Sequence, residues 1–183
     1  MWTSVAAVSI FAAAASAHGN ITSPPARQAG VAMATLCGQT AVDNVNADPT
    51  IPIEDLGTIN AGCNAFLCRG AQFEDNANNV QQFQAGQTVD MEAAIPIPHV
   101  GPMNVSIVKT ATNTVLGSPL ISFDVYADES LATLPPNNTA FSVTMPNVTA
   151  GNCAVAGDCV LQWFWFGEKA LQTYESCVDF VMV

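Results

Sequence analysis

From Thr88 to the C-terminus, apolar residues recur at every second position in short runs. In "MNVSIVK", Met103, Val105 and Ile107 fall on one face while Asn104 and Ser106 fall on the other. "AFSVTMP" repeats the pattern, with Phe141, Val143 and Met145 inward and Ser142 and Thr144 outward, and "TVDMEAAI" alternates in the same way. "CVLQWFWF" and "YESCVDFVMV" are longer and more continuously apolar, as expected of central strands covered on both faces. Trp163 and Trp165 then belong to a buried strand face. Turn-rich stretches such as "LPPNN" and "AGNCAVAGD" separate these runs. The pattern predicts an all-β fold, an immunoglobulin-like or fibronectin-like antiparallel β-sandwich with long loops and little helix.

Between Ser23 and Gly62 the alternation stops. Pro24, Pro25, Pro49 and Pro52, with many Asn, Asp and Gly residues, predict loops. Short helices are expected only around 32–36 and near 63–68. No repeat, charge run or Ser/Thr-rich linker divides the chain, so residues 18–183 are expected to form one domain.

The first 17 residues, MWTSVAAVSIFAAAASA, change the picture. They carry no charge and end in an A-x-A-like site, the layout of a cleaved secretory signal, although they lack the usual Lys or Arg near the start. The stretch is too short to span a bilayer and is followed by polar, Pro-rich sequence. Two further features fit a secreted, extracellular protein. The six cysteines, Cys37, Cys63, Cys68, Cys153, Cys159 and Cys177, suit disulfides in an oxidising compartment. N-glycosylation sequons begin at Asn20, Asn104, Asn137 and Asn147. Many connectivities are open to six cysteines. Proximity favours Cys63–Cys68 and Cys153–Cys159, which leaves Cys37 to reach Cys177. A zinc site built on these cysteines is the rival reading, disfavoured by the scarcity of histidine.

Charge narrows the partners. Four basic residues against 15 acidic ones exclude nucleic acid and anionic membrane as natural partners and leave an uncharged polymer compatible.

The chain has two histidines, His18 and His99. His99, in "IPIPHVGPMNVSIV", is expected on a rigid loop at one end of the sandwich, where binding residues commonly sit. Cleavage after Ala17 would make His18 the first residue. Its free α-amine and imidazole Nδ1 could then close a chelate ring on one metal, and His99 would complete a three-nitrogen set. Nitrogen ligands in a tetragonal array suit Cu(II), whereas zinc prefers tetrahedral sites for which no further ligand is evident. In "LQTYESCVDF", an extended chain would put Gln172 and Tyr174 on one face, a neutral amide and a phenol beside the metal.

"HGNITSPPARQAG" at the expected start, "CNAFLCRGAQFEDNANNVQQFQAGQTV", "PHVGPMNVSIV" and "QTYESCVDF" together resemble the fungal lytic polysaccharide monooxygenases, most closely auxiliary-activity family sixteen; the Gln-x-Tyr element is also typical of family nine. The resemblance implies an immunoglobulin-like sandwich holding one copper ion in a histidine brace on a solvent-facing surface. His18 would supply its amine and Nδ1, His99 its Nε2, and Tyr174 the axial position, with Gln172 positioning the reactive oxygen species. It implies reduction of Cu(II) by an external electron donor, activation of oxygen or hydrogen peroxide, and oxidative cleavage of cellulose at the anomeric carbon by a monomeric enzyme. Chitin as substrate, and a non-catalytic copper-binding protein with the same brace, are the alternatives. The binding relatives tend to place a carboxylate near the metal and often carry a membrane anchor, whereas this chain has "QTYESC" and no anchor signal. Flat polysaccharides are usually gripped by exposed aromatics, which are few here; Phe166 is a candidate, and a glycan on Asn20 would crowd the same face.

Overall fold

Strict alternation makes β3 (Thr88–Ile97) and β4 (Gly101–Lys109) two-faced, and their inward residues meet in one core. The computed structural model describes residues 18–148 and 152–183; the expected signal, residues 1–17, lies outside the described residues. The remaining strands are β1 (His18–Ser23), β2 (Gln81–Phe83), β5 (Thr114–Val115), β6 (Ile121–Tyr126), β7 (Ala140–Thr144), β8 (Cys159–Gly167) and β9 (Gln172–Met182). One sheet has the order β1-β3-β7, and the other β2-β9-β8-β4-β5 with β6 also on β4. All pairings are antiparallel except that of β2 with β9. This is the expected sandwich with little helix.

The inner faces enclose Met91, Met103, Val105, Ile107, Phe141, Val143, Leu161, Trp163, Trp165 and Tyr174. Residues one step away in β4, β8 and β9 (Val108, Val160 and Cys177) are equally buried, but in a second core beneath the N-terminal loop region. Burial on both faces explains why β8 and β9 read as continuous apolar runs.

That second layer holds more helix than the sequence suggests. Helix α1 (Val31–Cys37) brackets the expected one, and its first turn is capped from far away: the Asp75 carboxylate accepts the Ala32 and Met33 N–H groups at 2.9 Å each. Helix α2 (Gln39–Ala47) was not expected. It buries only Ala41, Val42 and Val45 against the core and presents polar residues elsewhere, so its apolar stripe is too thin to stand out from a loop. No regular α-helix forms near 63–68, where turns lead into a short 3-10 segment, Cys68–Gly70. A third helix, α3 (Pro136–Thr139), is a single turn in the "LPPNN" connection.

Two of the three expected disulfides are wrong. Cys153–Cys159 forms, but the others are Cys37–Cys63 and Cys68–Cys177. Proximity in sequence misleads because the 63–68 segment bridges two layers. Asn60 N–H donates to the Cys37 carbonyl, which brings Cys63 to the end of α1. Cys68 and Arg69, both at positive φ, turn the chain down onto β9 at Cys177. The outcome still pins the N-terminal layer to the last strand, through Cys68 rather than Cys37.

Candidate metal centre

The two histidines reach one end of the sandwich by different routes. His18 opens β1 and is in register with Ile97, the last residue of β3. Three residues, Pro98 to Val100, then carry the chain across to β4 in the other sheet, and His99 is the middle one. A loop this short between two sheets has little freedom. Val100 N–H donates to Glu129 Oε2 at 2.6 Å, and Glu168 N–H donates to the Val100 carbonyl. Gly101 must lack a side chain, since a Cβ there would fall 1.8 Å from the Phe166 carbonyl oxygen.

Trp165 connects the parts. Its Nε1–H donates to the His99 carbonyl at 3.1 Å, and its ring stacks on Tyr174 with centroids 4.4 Å apart. Its ring edge also abuts Gly19, next to His18. Tyr174 O–H donates to Gln172 Oε1 at 2.9 Å, so the expected phenol and amide pair is formed. Gly167, in register with Gln172, would place a Cβ 3.1 Å from that of His99. The four residues singled out from the sequence thus converge on one edge of the molecule. Phe166 is half-buried in the same hairpin. The exposed Phe66 instead lies near the Lys109 end of β4, where its carbonyl accepts from Asn113, the opposite end of that strand from His99.

His99 is the most informative of the four. It is 8% exposed, and neither Nδ1 nor Nε2 has a hydrogen-bond partner. A buried polar atom left unpaired costs about 1–3 kcal/mol, so two such atoms in one ring call for a ligand. His18 differs: its Nε2 lies 3.0 Å from Asp48 Oδ2, a carboxylate partner of the kind that orients a metal-binding imidazole. Among the described residues, no group of three His, Cys, Asp or Glu side chains could hold an ion. A brace needs only two such side chains, because its third nitrogen is a backbone amine. The donor set fits copper on these grounds.

A family model described as "lytic polysaccharide mono-oxygenase, cellulose-degrading" matches residues 18–180. The chain belongs to the lytic polysaccharide monooxygenase family. No curated protein matches it in sequence. Among solved structures, CelS2, a cellulose-active lytic polysaccharide monooxygenase in complex with copper, is similar at 17% identity, covering 90% of this chain and 98% of that one with a TM-score of 0.50. A chitin-binding domain from Burkholderia pseudomallei is similar at 13% identity over 91% of this chain and 100% of that one, TM-score 0.49. An AA10 monooxygenase from Streptomyces lividans is similar at 13% identity over 65% and 74%, TM-score 0.42. The likeness to CelS2 shows the fold. These matches do not support the finer placement expected from the resemblance, fungal and in auxiliary-activity family sixteen; the matching model is of the family-ten type. Of the four segments behind that placement, the histidine and Gln-x-Tyr elements speak to metal chemistry rather than to subfamily.

In this family member the surroundings of the site keep the phenol neutral. Burial, followed by the negative charges of Glu54 and Asp55, pushes the Tyr174 hydroxyl well above its ordinary range, so it stays protonated at any working pH. Glu54 also fixes the strand between Gln172 and Tyr174, accepting from Thr173 N–H at 2.8 Å and Thr173 Oγ1 at 2.9 Å. Asp48, Glu54 and Trp165 carry no role that the sequence revealed. Trp165 reads as core, and the two carboxylates lie in an Asn- and Pro-rich stretch with no periodicity to mark them. The only cue was that Asp48 and Glu54 flank an apolar pair, Ile51 and Ile53, in an otherwise polar loop.

Proposed function

We propose that this protein, processed after Ala17 and secreted, is a copper-dependent monooxygenase that cleaves cellulose oxidatively at the anomeric carbon. The observation that carries the reading is His99, buried with both ring nitrogens unpartnered and two residues after Ile97, the register partner of His18. His18 would hold the metal through its amine and Nδ1, and His99 through one ring nitrogen. While Met1 to Ala17 remain attached, the His18 nitrogen is an amide and the donor set is incomplete. One copper ion bound there supplies one-electron redox chemistry for oxidising a carbon–hydrogen bond with oxygen or hydrogen peroxide, given electrons from an external donor. Tyr174, a neutral phenol packed on Trp165, closes the inner side of the site against water. Gln172, held by the hydrogen bond that Tyr174 O–H donates to its carboxamide oxygen, would position the reactive oxygen species.

An insoluble polymer has to meet this edge as a surface. Ile97 and Leu171, 41% and 69% exposed, flank the site beside His18 and Gln172, and offer apolar contact in place of aromatic rings. The test is product analysis of copper-loaded, processed protein with reductant on cellulose and on chitin. Oligosaccharides bearing aldonic acid ends from cellulose support the proposal. Oxidised products from chitin alone would reassign the substrate, and tight copper binding without oxidised products from either polymer would leave a copper-binding protein.

A further inference from the structure

Asp48 follows α2 directly, and its N–H donates to the Asn44 carbonyl, which fixes its backbone at the helix end. Its Oδ1 is taken by Thr50, from the backbone N–H at 2.8 Å and from the hydroxyl. That leaves Oδ2 aimed at His18, 3.0 Å from Nε2. The same segment grips the strand a second time, since Gly19 N–H donates to the Thr50 carbonyl at 2.8 Å. Residues 48–50 therefore hold both the ring and the backbone at the start of β1.

We propose that Asp48 is a positioning residue for the metal, holding His18 in the Nε2–H tautomer so that the Nδ1 lone pair points to the ion. The inference rests on the reading of His18 as a ligand given above. A neutral imidazole has two tautomers, and only the one protonated at Nε2 can donate a lone pair from Nδ1 in a chelate with the amine. A carboxylate on Nε2–H selects that tautomer, fixes the ring plane and makes the ring a better electron donor. Asp48 is well built for this because its orientation is set by Thr50 before any metal arrives, with no reorganisation left for the binding step.

The chain has only two histidines, so 15N spectra of histidine-labelled, processed apoprotein report each ring directly. At a pH where the rings are neutral, His18 is expected as the Nε2–H tautomer. Asp48→Ala should convert it to a tautomer mixture, weaken Cu(II) binding by about 10–100-fold and alter the Cu(II) electron paramagnetic resonance spectrum. Asp48→Asn, whose amide oxygen stays on the Thr50 N–H and whose NH2 then faces Nε2, should shift His18 toward the Nδ1–H tautomer and also weaken Cu(II) binding; it serves as the test if the alanine variant does not fold. Thr50→Val should lower thermal stability without changing the tautomer. An Nδ1–H tautomer in the native apoprotein, or an Asp48→Ala protein with native tautomer and spectrum, would overturn the proposal. Absence of copper binding by the native protein would instead sink the metal reading, and the apoprotein spectra would still decide the role of Asp48.

Discussion

Replacing Gly19 with alanine tests how the sandwich sets the histidine strand. A Cβ at that position would lie 2.9 Å from Cζ3 of Trp165 and 3.2 Å from both Cε3 of Trp165 and Cη2 of Trp163. Carbon atoms rest comfortably at about 3.5–4.0 Å, so the gap must widen by roughly 0.6–1 Å. The indoles cannot make the room. Both are fully buried, and Trp165 is tied to the His99 carbonyl and stacked on Tyr174. Strand β1 has to lift instead, against the Gly19–Thr50 hydrogen bond and the His18–Asp48 contact. Overpacking of this kind costs about 1–3 kcal/mol. In a domain of this size each kcal/mol lowers the melting temperature by about 2–4 °C, so the apoprotein should melt roughly 2–12 °C lower. Because the displaced residue adjoins His18, Cu(II) affinity should fall by about tenfold or more. Thermal unfolding of the apoprotein and a copper titration against a competing chelator read the two effects. A variant melting within about 1 °C of the native protein, with native affinity, would refute the claim that the tryptophan pair sets the position of β1.

Other outcomes follow from the same structure. Trp165→Phe removes the donor to the His99 carbonyl and part of a fully buried ring, and should cost about 2–4 kcal/mol in urea unfolding; a loss below about 1 kcal/mol would mean that another group satisfies that carbonyl. Glu175, 2% exposed, is pushed up to about 7 by burial, against the opposing pull of the nearby Arg69. The folded state therefore holds its proton more tightly than the unfolded chain, and stability should fall as pH rises from about 4.5 to 7. Glu175→Gln should flatten that slope in denaturant titrations across the range, and an unchanged slope would contradict the assignment. Glycopeptide mass spectrometry of protein from a eukaryotic host should find the exposed Asn137 and Asn147 occupied. Asn20, whose Oδ1 is buried, and Asn104, mid-strand and bonded to Ser106, should be bare; a fully occupied Asn20 would contradict this.

The strands were legible because a sheet with one buried face writes its period directly into the sequence: Met103, Val105 and Ile107 point inward as read. Helix α2 was not, because three apolar contacts in nine residues leave no periodic stripe. Two of the three disulfides were misread for a related reason, while Cys153–Cys159 formed as expected. Sequence distance predicts pairing only when a segment stays in one layer, and 63–68 joins two. At the candidate site, His18, His99 and Tyr174 could be picked out because the chain has only two histidines and two tyrosines, and Gln172 by its place two residues from Tyr174. Asp48, Glu54 and Trp165 touch the site only through His18, Thr173 and the His99 carbonyl, and such contacts exist only once β1, β9 and the 48–55 loop are packed together. Substrate preference has no comparable signature, because isolated exposed apolar residues such as Ile97 and Leu171 form no sequence motif.

The central claim, that the His18 amine and two imidazoles form one copper site, is tested most directly by comparing two proteins. One begins at His18, and the other carries a single extra alanine before it. Cu(II) titration with electron paramagnetic resonance should give one tight equivalent with nitrogen hyperfine structure for the first. The second, whose His18 nitrogen is an amide, should bind at least about 100-fold more weakly. Equal affinity and identical spectra for the two would contradict the account.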